Sequence, residues 1–278
     1  MCATCGCSDT GTPRITNLET GQTNSLASHH LSHAHGEHDH GHDHHHGQHS
    51  HDHEHTVILE QAILSKNDRL AERNREWFQE NNILALNLVS SPGSGKTTIL
   101  EHTIRVLRES MAISVIEGDQ ETLHDAERIQ RTGCRVVQIN TGAGCHLEAD
   151  MLARGLEELK PPAHSLLLIE NVGNLVCPAL FDLGERTKVA ILSTTEGEDK
   201  PLKYPHMFQS SSIMILNKID LLPYLTFNVE KCLEYARMVN PHIQIFQVSA
   251  TTGEGMAQWY DWIGAQMKSM TDKVGSPC

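Results

Sequence analysis

The run Ser90-Ser91-Pro92-Gly93-Ser94-Gly95-Lys96-Thr97 follows an apolar segment and opens a stretch with helical periodicity. These residue types at this spacing suit phosphate binding. The glycines let backbone N–H groups converge on an anion at a helix N-terminus, Lys96 reaches the terminal phosphates, and the Thr97 hydroxyl can ligate Mg²⁺. Gly93, Ser94, Gly95, Lys96, Thr97 and Thr98 are therefore the candidate phosphate contacts. The bland alternative is a glycine-rich turn ahead of an ordinary helix, and the strand before the run and the helix after it argue against that. Ser90 departs from the usual pattern, which has glycine there.

A second motif, Asn217-Lys218-Ile219-Asp220, ends the apolar run Ile213–Leu216. Asp220 can accept hydrogen bonds from N1–H and the 2-amino group of guanine, and adenine offers no donor at those positions. A carboxylate left unpaired is penalised, so the motif selects GTP. Ser249-Ala250-Thr251, after the next strand, resembles the loop that completes base recognition in GTPases, with Ser249 and Ala250 as its contacts. Two acids compete for holding Mg²⁺ and orienting the attacking water: Asp119, in Glu117-Gly118-Asp119, and Glu170, after Leu166–Ile169. Either one could instead cap the turn that follows.

Thiols and imidazoles form a separate set. Cys2, Cys5 and Cys7 place three thiolates near the chain's amine, a donor set that suits tetragonal Ni(II), whereas a fourth thiolate or imidazole would favour tetrahedral zinc. A redox dithiol is the competing reading, but no βαβ pattern surrounds these residues. From His29 to His55, 14 of 27 residues are histidine, broken by acids and glycines, which reads as a metal store rather than a purification tag. Cys145, His146 and Cys177 lie in loops that leave strand ends, and Cys177 lies seven residues after Glu170. Three ligands leave one position open, or a symmetric dimer shares ligands across its axis. Cys134 and Cys232 read as packing residues.

These groups must be carried by a scaffold. Apolar runs at Ile83–Val89, Ser114–Glu117, Arg135–Ile139, Leu166–Ile169, Val189–Ser193, Ile213–Leu216 and Ile243–Val248 alternate with helical patterns. That alternation predicts an α/β P-loop NTPase fold, with a mainly parallel sheet of about seven strands and helices on both faces. Residues 1–55, poor in large apolar side chains, are expected to form a disordered metal-binding arm, 56–82 an amphipathic lead-in helix, 83–270 the GTPase domain and 271–278 a tail. The charge balance, 22 basic against 35 acidic residues for a net −13, disfavours a nucleic-acid partner. No apolar stretch is long enough to cross a membrane, no secretory signal opens the chain, and the scattered thiols fit a reducing cytoplasm.

From about Val57 to Trp262 the chain resembles the HypB family of hydrogenase nickel-incorporation GTPases. The likeness is carried by residues 89–98, Glu117-Gly118-Asp119-Gln120, Gly144-Cys145-His146-Leu147, the run Glu170–Pro178 and the run Leu216–Tyr224. It implies a homodimer, promoted by GTP or metal, that works with the nickel-delivery partner HypA and the large subunit of a [NiFe] hydrogenase. It also implies that Cys2, Cys5 and Cys7 are a tight nickel site, and that Cys145, His146 and Cys177 take nickel or zinc at the dimer interface. The urease accessory GTPases are the runner-up but lack the terminal cysteine motif. A nickel buffer with a vestigial GTPase is the reading from another class, and the intact Lys96, Thr97 and Asp220 oppose it.

The guanine assignment is tested by Asp220→Asn. This change should weaken GTP binding about tenfold or more, as expected for a lost charge-assisted hydrogen bond, and should raise affinity for xanthosine triphosphate. Competition binding with the two nucleotides measures it, and unchanged GTP preference refutes the assignment.

Overall fold

The computed structural model of the chain describes residues 12–26, 51–120 and 122–274, with side chains described from 61 to 270 in the latter two stretches. The expected cysteine motif at Cys2, Cys5 and Cys7 and the histidine tract as far as Ser50 lie outside the described residues.

Nine strands form one sheet: β1 (Arg14–Asn17), β2 (Thr23–Ser25), β3 (Leu84–Ser90), β4 (Ile113–Asp119), β5 (Arg135–Asn140), β6 (Leu166–Gly173), β7 (Thr187–Ser193), β8 (Ile213–Asn217) and β9 (Gln244–Gln247). Their order is β2-β1-β5-β4-β6-β3-β7-β8-β9. From β5 to β9 every pairing is parallel, so all seven expected strands are present. The helices are α1 (His51–Glu80), α2 (Lys96–Leu107), α3 (His124–Gln130), α4 (Ala149–Leu159), α5 (Cys177–Leu180), α6 (Lys200–Lys203), α7 (Pro205–Ser210), α8 (Val229–Val239) and α9 (Met256–Val274). A 3-10 turn spans Ile219–Tyr224.

Two strands are additions to the sequence reading. Residues 12–26, expected within a disordered arm, form the hairpin β1–β2, and β1 pairs antiparallel with β5. The register sets Arg14 opposite Asn140, so β1 begins at the carboxyl edge of the parallel sheet, beside the loop that follows β5. Ile15 and Leu26 supply the buried apolar contacts, and the Asn17 amide donates to Glu158 at 2.9 Å while its carbonyl caps the hairpin turn at Glu19 N. Helix α1 likewise begins at His51, ahead of the expected Thr56, and α9 continues to Val274, past the expected boundary at 270.

Strand periodicity divides the core in two. Leu84, Leu86, Leu88, Leu166 and Leu168 face α2, α3 and α9, while Ala85, Leu167 and Ile169 face α1 and α4. The opposite half of that second face, with Ala190, Leu192, Met214 and Leu216, is covered by α7 and α8. Both faces are thus covered, which is why β3, β7 and β8 are buried along their whole length. In α1 the buried positions Asn67, Ala71, Asn74 and Phe78 recur at helical spacing on one face, and two of them are polar. No helix among the described residues is long and apolar enough to cross a membrane.

Trp259 of α9 anchors the first face. It is fully buried, stacks on Trp262 and donates from Nε1 to Thr103 Oγ1 at 3.0 Å. Trp259→Ala should destabilise the protein by about 3–5 kcal/mol through the cavity it leaves, read as a shifted urea-unfolding midpoint.

Candidate nucleotide and metal site

The phosphate loop follows β3 without a break and turns into α2 through two left-handed glycines, Gly93 at φ 75° and Gly95 at φ 97°. At Gly95 a Cβ would lie 2.5 Å from Asn217 Nδ2, so only glycine allows the loop to lie against the base-recognition motif. That contact is organised. Asn217 Nδ2 donates to Ser94 O at 2.9 Å, Asn217 Oδ1 accepts from Ala250 N at 3.1 Å, and Lys218 Nζ donates to Gly93 O at 2.7 Å. Ser249 is buried, and its hydroxyl accepts from Thr252 N. Asp220 Oδ1 is buried with no hydrogen-bond partner in the protein, which fits an acceptor built for a ligand donor.

A cleft of about 490 Å³ opens over this loop. It is lined by Gly93–Thr98, Glu117, Asp119, Arg128, Glu170 and Lys218 among others. Lys96 Nζ donates to Ser90 Oγ at 3.0 Å, so the serine that departs from the usual pattern bonds to the loop lysine. Thr97 Oγ1 donates to Glu170 Oε1 at 2.8 Å, while Glu170 Oε2 and Glu117 Oε2 are buried without partners. Burial pushes the Glu170 carboxyl up to about 7, with Lys96 and Thr97 drawing it partly back. Glu117 is raised well above the usual range by burial first and then by Glu170 and Asp119. Of the two acids that competed in the sequence, Glu170 is the one bonded to Thr97. Asp119 faces the cleft, but its Oδ2 accepts from Thr122 N at 2.9 Å and from the Thr122 hydroxyl at 3.1 Å, the capping arrangement weighed as its alternative.

Cys145, His146 and Cys177 converge at the same edge, with one ligand atom from each all within 4.8 Å of one another. The Cys145 Sγ to His146 Nδ1 separation is 3.6 Å, all three residues are buried, and the imidazole lies against the Phe181 ring at a centroid distance of 3.9 Å. Burial lowers the His146 pKa to about 4, leaving the ring neutral and able to ligate. By contrast Cys134 and Cys232 are buried in the core and their thiols are raised to about 12, as packing residues should be. Helix α1 braces the loops around the trio. Asn67 Oδ1 accepts from Ala149 N, the Asn67 amide donates to Asp182 O, and the Asn74 amide donates to both Ala149 O and Leu183 O.

Three participants escaped the sequence reading. Glu117 is an acid inside an apolar strand, within the run Glu117–Gln120 of the family likeness, and has no role of its own in that reading. Arg128 of α3 lines the cleft and bonds Thr98 Oγ1, Glu101 and Asp125. Asn171 accepts from Leu147 N, next to His146; it lies in the run Glu170–Pro178 that carries the family likeness but has no role of its own in the sequence reading.

A parallel sheet with a phosphate loop after β3 and a guanine-type loop after β8 defines a P-loop nucleotide-binding protein. Residues 84–247 match the CobW/HypB/UreG nucleotide-binding domain. The hydrogenase maturation factor HypB of Escherichia coli (strain K12) is 60% identical over 208 residues, covering 75% of this chain and 72% of that protein. Two solved structures are similar: HypB from Archaeoglobus fulgidus (TM-score 0.69, 38% identity, 73% of this chain and 99% of that one) and HypB from Helicobacter pylori in complex with nickel (TM-score 0.69, 35% identity, 73% and 96%). The chain belongs to the HypB family of hydrogenase maturation factors.

The raised Glu170 makes stability depend on pH. The folded chain binds this proton more tightly than the unfolded one, so the group's contribution is complete below its ordinary value of 4.5 and is lost as pH rises to about 7. Nucleotide-free protein should lose about 3 kcal/mol from this source across that window. Glu170→Gln should remove that share of the slope in urea unfolding at a series of pH values.

Proposed function

We propose that the protein hydrolyses GTP to GDP and phosphate and uses the nucleotide state to control how it holds and releases nickel for hydrogenase maturation. One observation carries this reading. Glu170, bonded to the phosphate-loop Thr97, and Cys177 of the thiol–imidazole trio lie on one continuous strand-to-helix segment, and the trio's other two members follow β5 at the same sheet edge.

The geometry supports a role for each residue in this reading. Backbone N–H groups at the start of α2, with Lys96, bind the phosphates and stabilise charge on the transferred phosphoryl group. The Thr97 hydroxyl and the unpartnered carboxylate oxygens of Glu170 and Glu117 form a hard oxygen set that fits Mg²⁺, which when bound would supply charge neutralisation at the phosphates. Glu170 orients the attacking water, Asp119 closes the turn at the mouth of the cleft, and Asp220 reads guanine. Nickel is cargo: two thiols and one neutral imidazole suit Ni(II) or zinc, with a place left open for transfer. The trio lies beside exposed Val176 and Leu180, which fits the expected homodimer. HypA and the hydrogenase large subunit are the expected partners, in the cytoplasm.

Testing requires the full chain, because β1 and β2 belong to the sheet. In a variant with Cys2, Cys5 and Cys7 changed to Ala, nickel affinity should differ about 5- to 150-fold between GDP and a non-hydrolysable GTP analogue, with nickel altering nucleotide affinity by the same factor. Equal affinities would refute the coupling. Lys96→Ala should abolish phosphate release, and normal turnover in that variant would refute the hydrolytic role.

A further inference from the structure

A line of buried polar groups runs beneath the thiol–imidazole trio, on the α1 and α4 face of the sheet. Asn171 Oδ1 accepts from Leu147 N at 3.1 Å and Val172 N at 2.9 Å, and the Asn171 amide donates to Asn87 Oδ1 at 3.2 Å. The Asn87 amide donates to Glu185 Oε1 at 3.0 Å, and Glu185 Oε2 accepts from Leu183 N at 2.8 Å. Lys188 Nζ stands 3.8 Å from Glu185 Oε1 and donates to Pro178 O at 2.7 Å and Phe181 O at 3.3 Å.

The placement of its ends is what gives this line meaning. One end holds the amide next to His146. The other holds the carbonyl next to Cys177, together with the carbonyl of Phe181, whose ring stacks on His146. A lysine and a glutamate with side chains only 7% and 5% exposed are expensive to keep in a core, and well-packed apolar residues would fill the same space at least as stably. What apolar residues would not do is fix two loops relative to each other through hydrogen bonds.

We propose that Lys188, backed by Glu185 and Asn87, is a positioning residue of the metal site. It sets the separation of the Cys177 limb from the Cys145–His146 limb, and Asn171 joins that setting to the strand that carries Glu170. The inference rests on the reading of Cys145, His146 and Cys177 as nickel ligands.

The experiment uses full-length protein with Cys2, Cys5 and Cys7 changed to Ala, titrated with Ni²⁺ against a competing chelator and followed by thiolate-to-nickel charge-transfer absorption. That signal ignores imidazole-only binding in the histidine tract. Lys188→Met should weaken thiolate-bound nickel 10- to 100-fold, the usual effect of removing an outer support of a ligand, with GTP affinity unchanged. It should also shift the charge-transfer bands, a readout of ligand arrangement that a merely less stable fold would leave in place. Because Lys188→Met leaves Glu185 buried beside no cation, Lys188→Met with Glu185→Gln is the second variant; it removes the lone charge while still lacking the tether, and the same loss is expected. Nickel affinity and band positions equal to the reference in either folded variant overturn the positioning role alone. No thiolate–nickel band in the reference protein, indistinguishable from a Cys145→Ala/Cys177→Ala variant, overturns the ligand reading and the positioning role together.

Discussion

A carboxyl group at the carboxyl edge of a sheet buried on both faces is the constraint on which the site depends. Glu170 ends an apolar run in β6 where water is excluded, so its charged form is disfavoured unless cations and donors gather around it. Thr97 and Lys96 are brought there by the phosphate loop, and that loop is in turn held from behind by Asn217 and Lys218. The same burial that strains Glu170 makes its interactions strong, since each is felt at low dielectric. A hard cation held there, as the proposed function requires, would offset that burial further. The pocket is thereby poised to favour a ligand that brings positive charge with it.

Most of the scaffold and of the nucleotide loops could be read from sequence because their signals are local. The seven parallel strands are short apolar runs, continuous because both faces are covered, and the two loops carry residues at fixed offsets dictated by phosphate and base chemistry. The hairpin β1–β2 was not legible for the opposite reason. Its seven strand residues are mostly polar, only Ile15 is a buried apolar one, and its stability comes from pairing with β5, more than a hundred residues away. Propensity says little about an edge strand whose partner supplies the template.

The polar bracing shows the same limit more sharply. Asn67, Asn74, Asn87 and Asn171 are four ordinary asparagines in the sequence, and a buried asparagine is intelligible only through what it bonds. Three of them bond partners on other elements that flank the thiol–imidazole trio, and Asn87 connects to those through Asn171 and Glu185. The amphipathic lead-in helix α1 is through Asn67 and Asn74 a brace for the loops after His146 and after Phe181. The partners of Asn67 and Asn74 are backbone groups, which leave no trace in residue identity.

Strand parity explains how two chemistries share one edge without sharing space. In β6, Leu166 and Leu168 face α2, and Glu170 continues that row toward the phosphate loop; Leu167 and Ile169 face α1 and α4, and Asn171 continues the other row toward Leu147. Adjacent residues of one strand therefore reach the phosphate loop and the segment beside the thiol–imidazole trio from opposite faces. The pairing of β6 with β3 also slips between these residues, Leu88 lying opposite Glu170 but Ser90 opposite Gly173, so an extra residue is accommodated at this point. Such bulges re-aim side chains and interrupt the ladder locally. The order of residues in β6, acid then amide then bulge, sets the phosphate-loop contact and the contact beside the thiol–imidazole trio next to each other on one strand, where the proposed coupling of nucleotide and metal would have to pass.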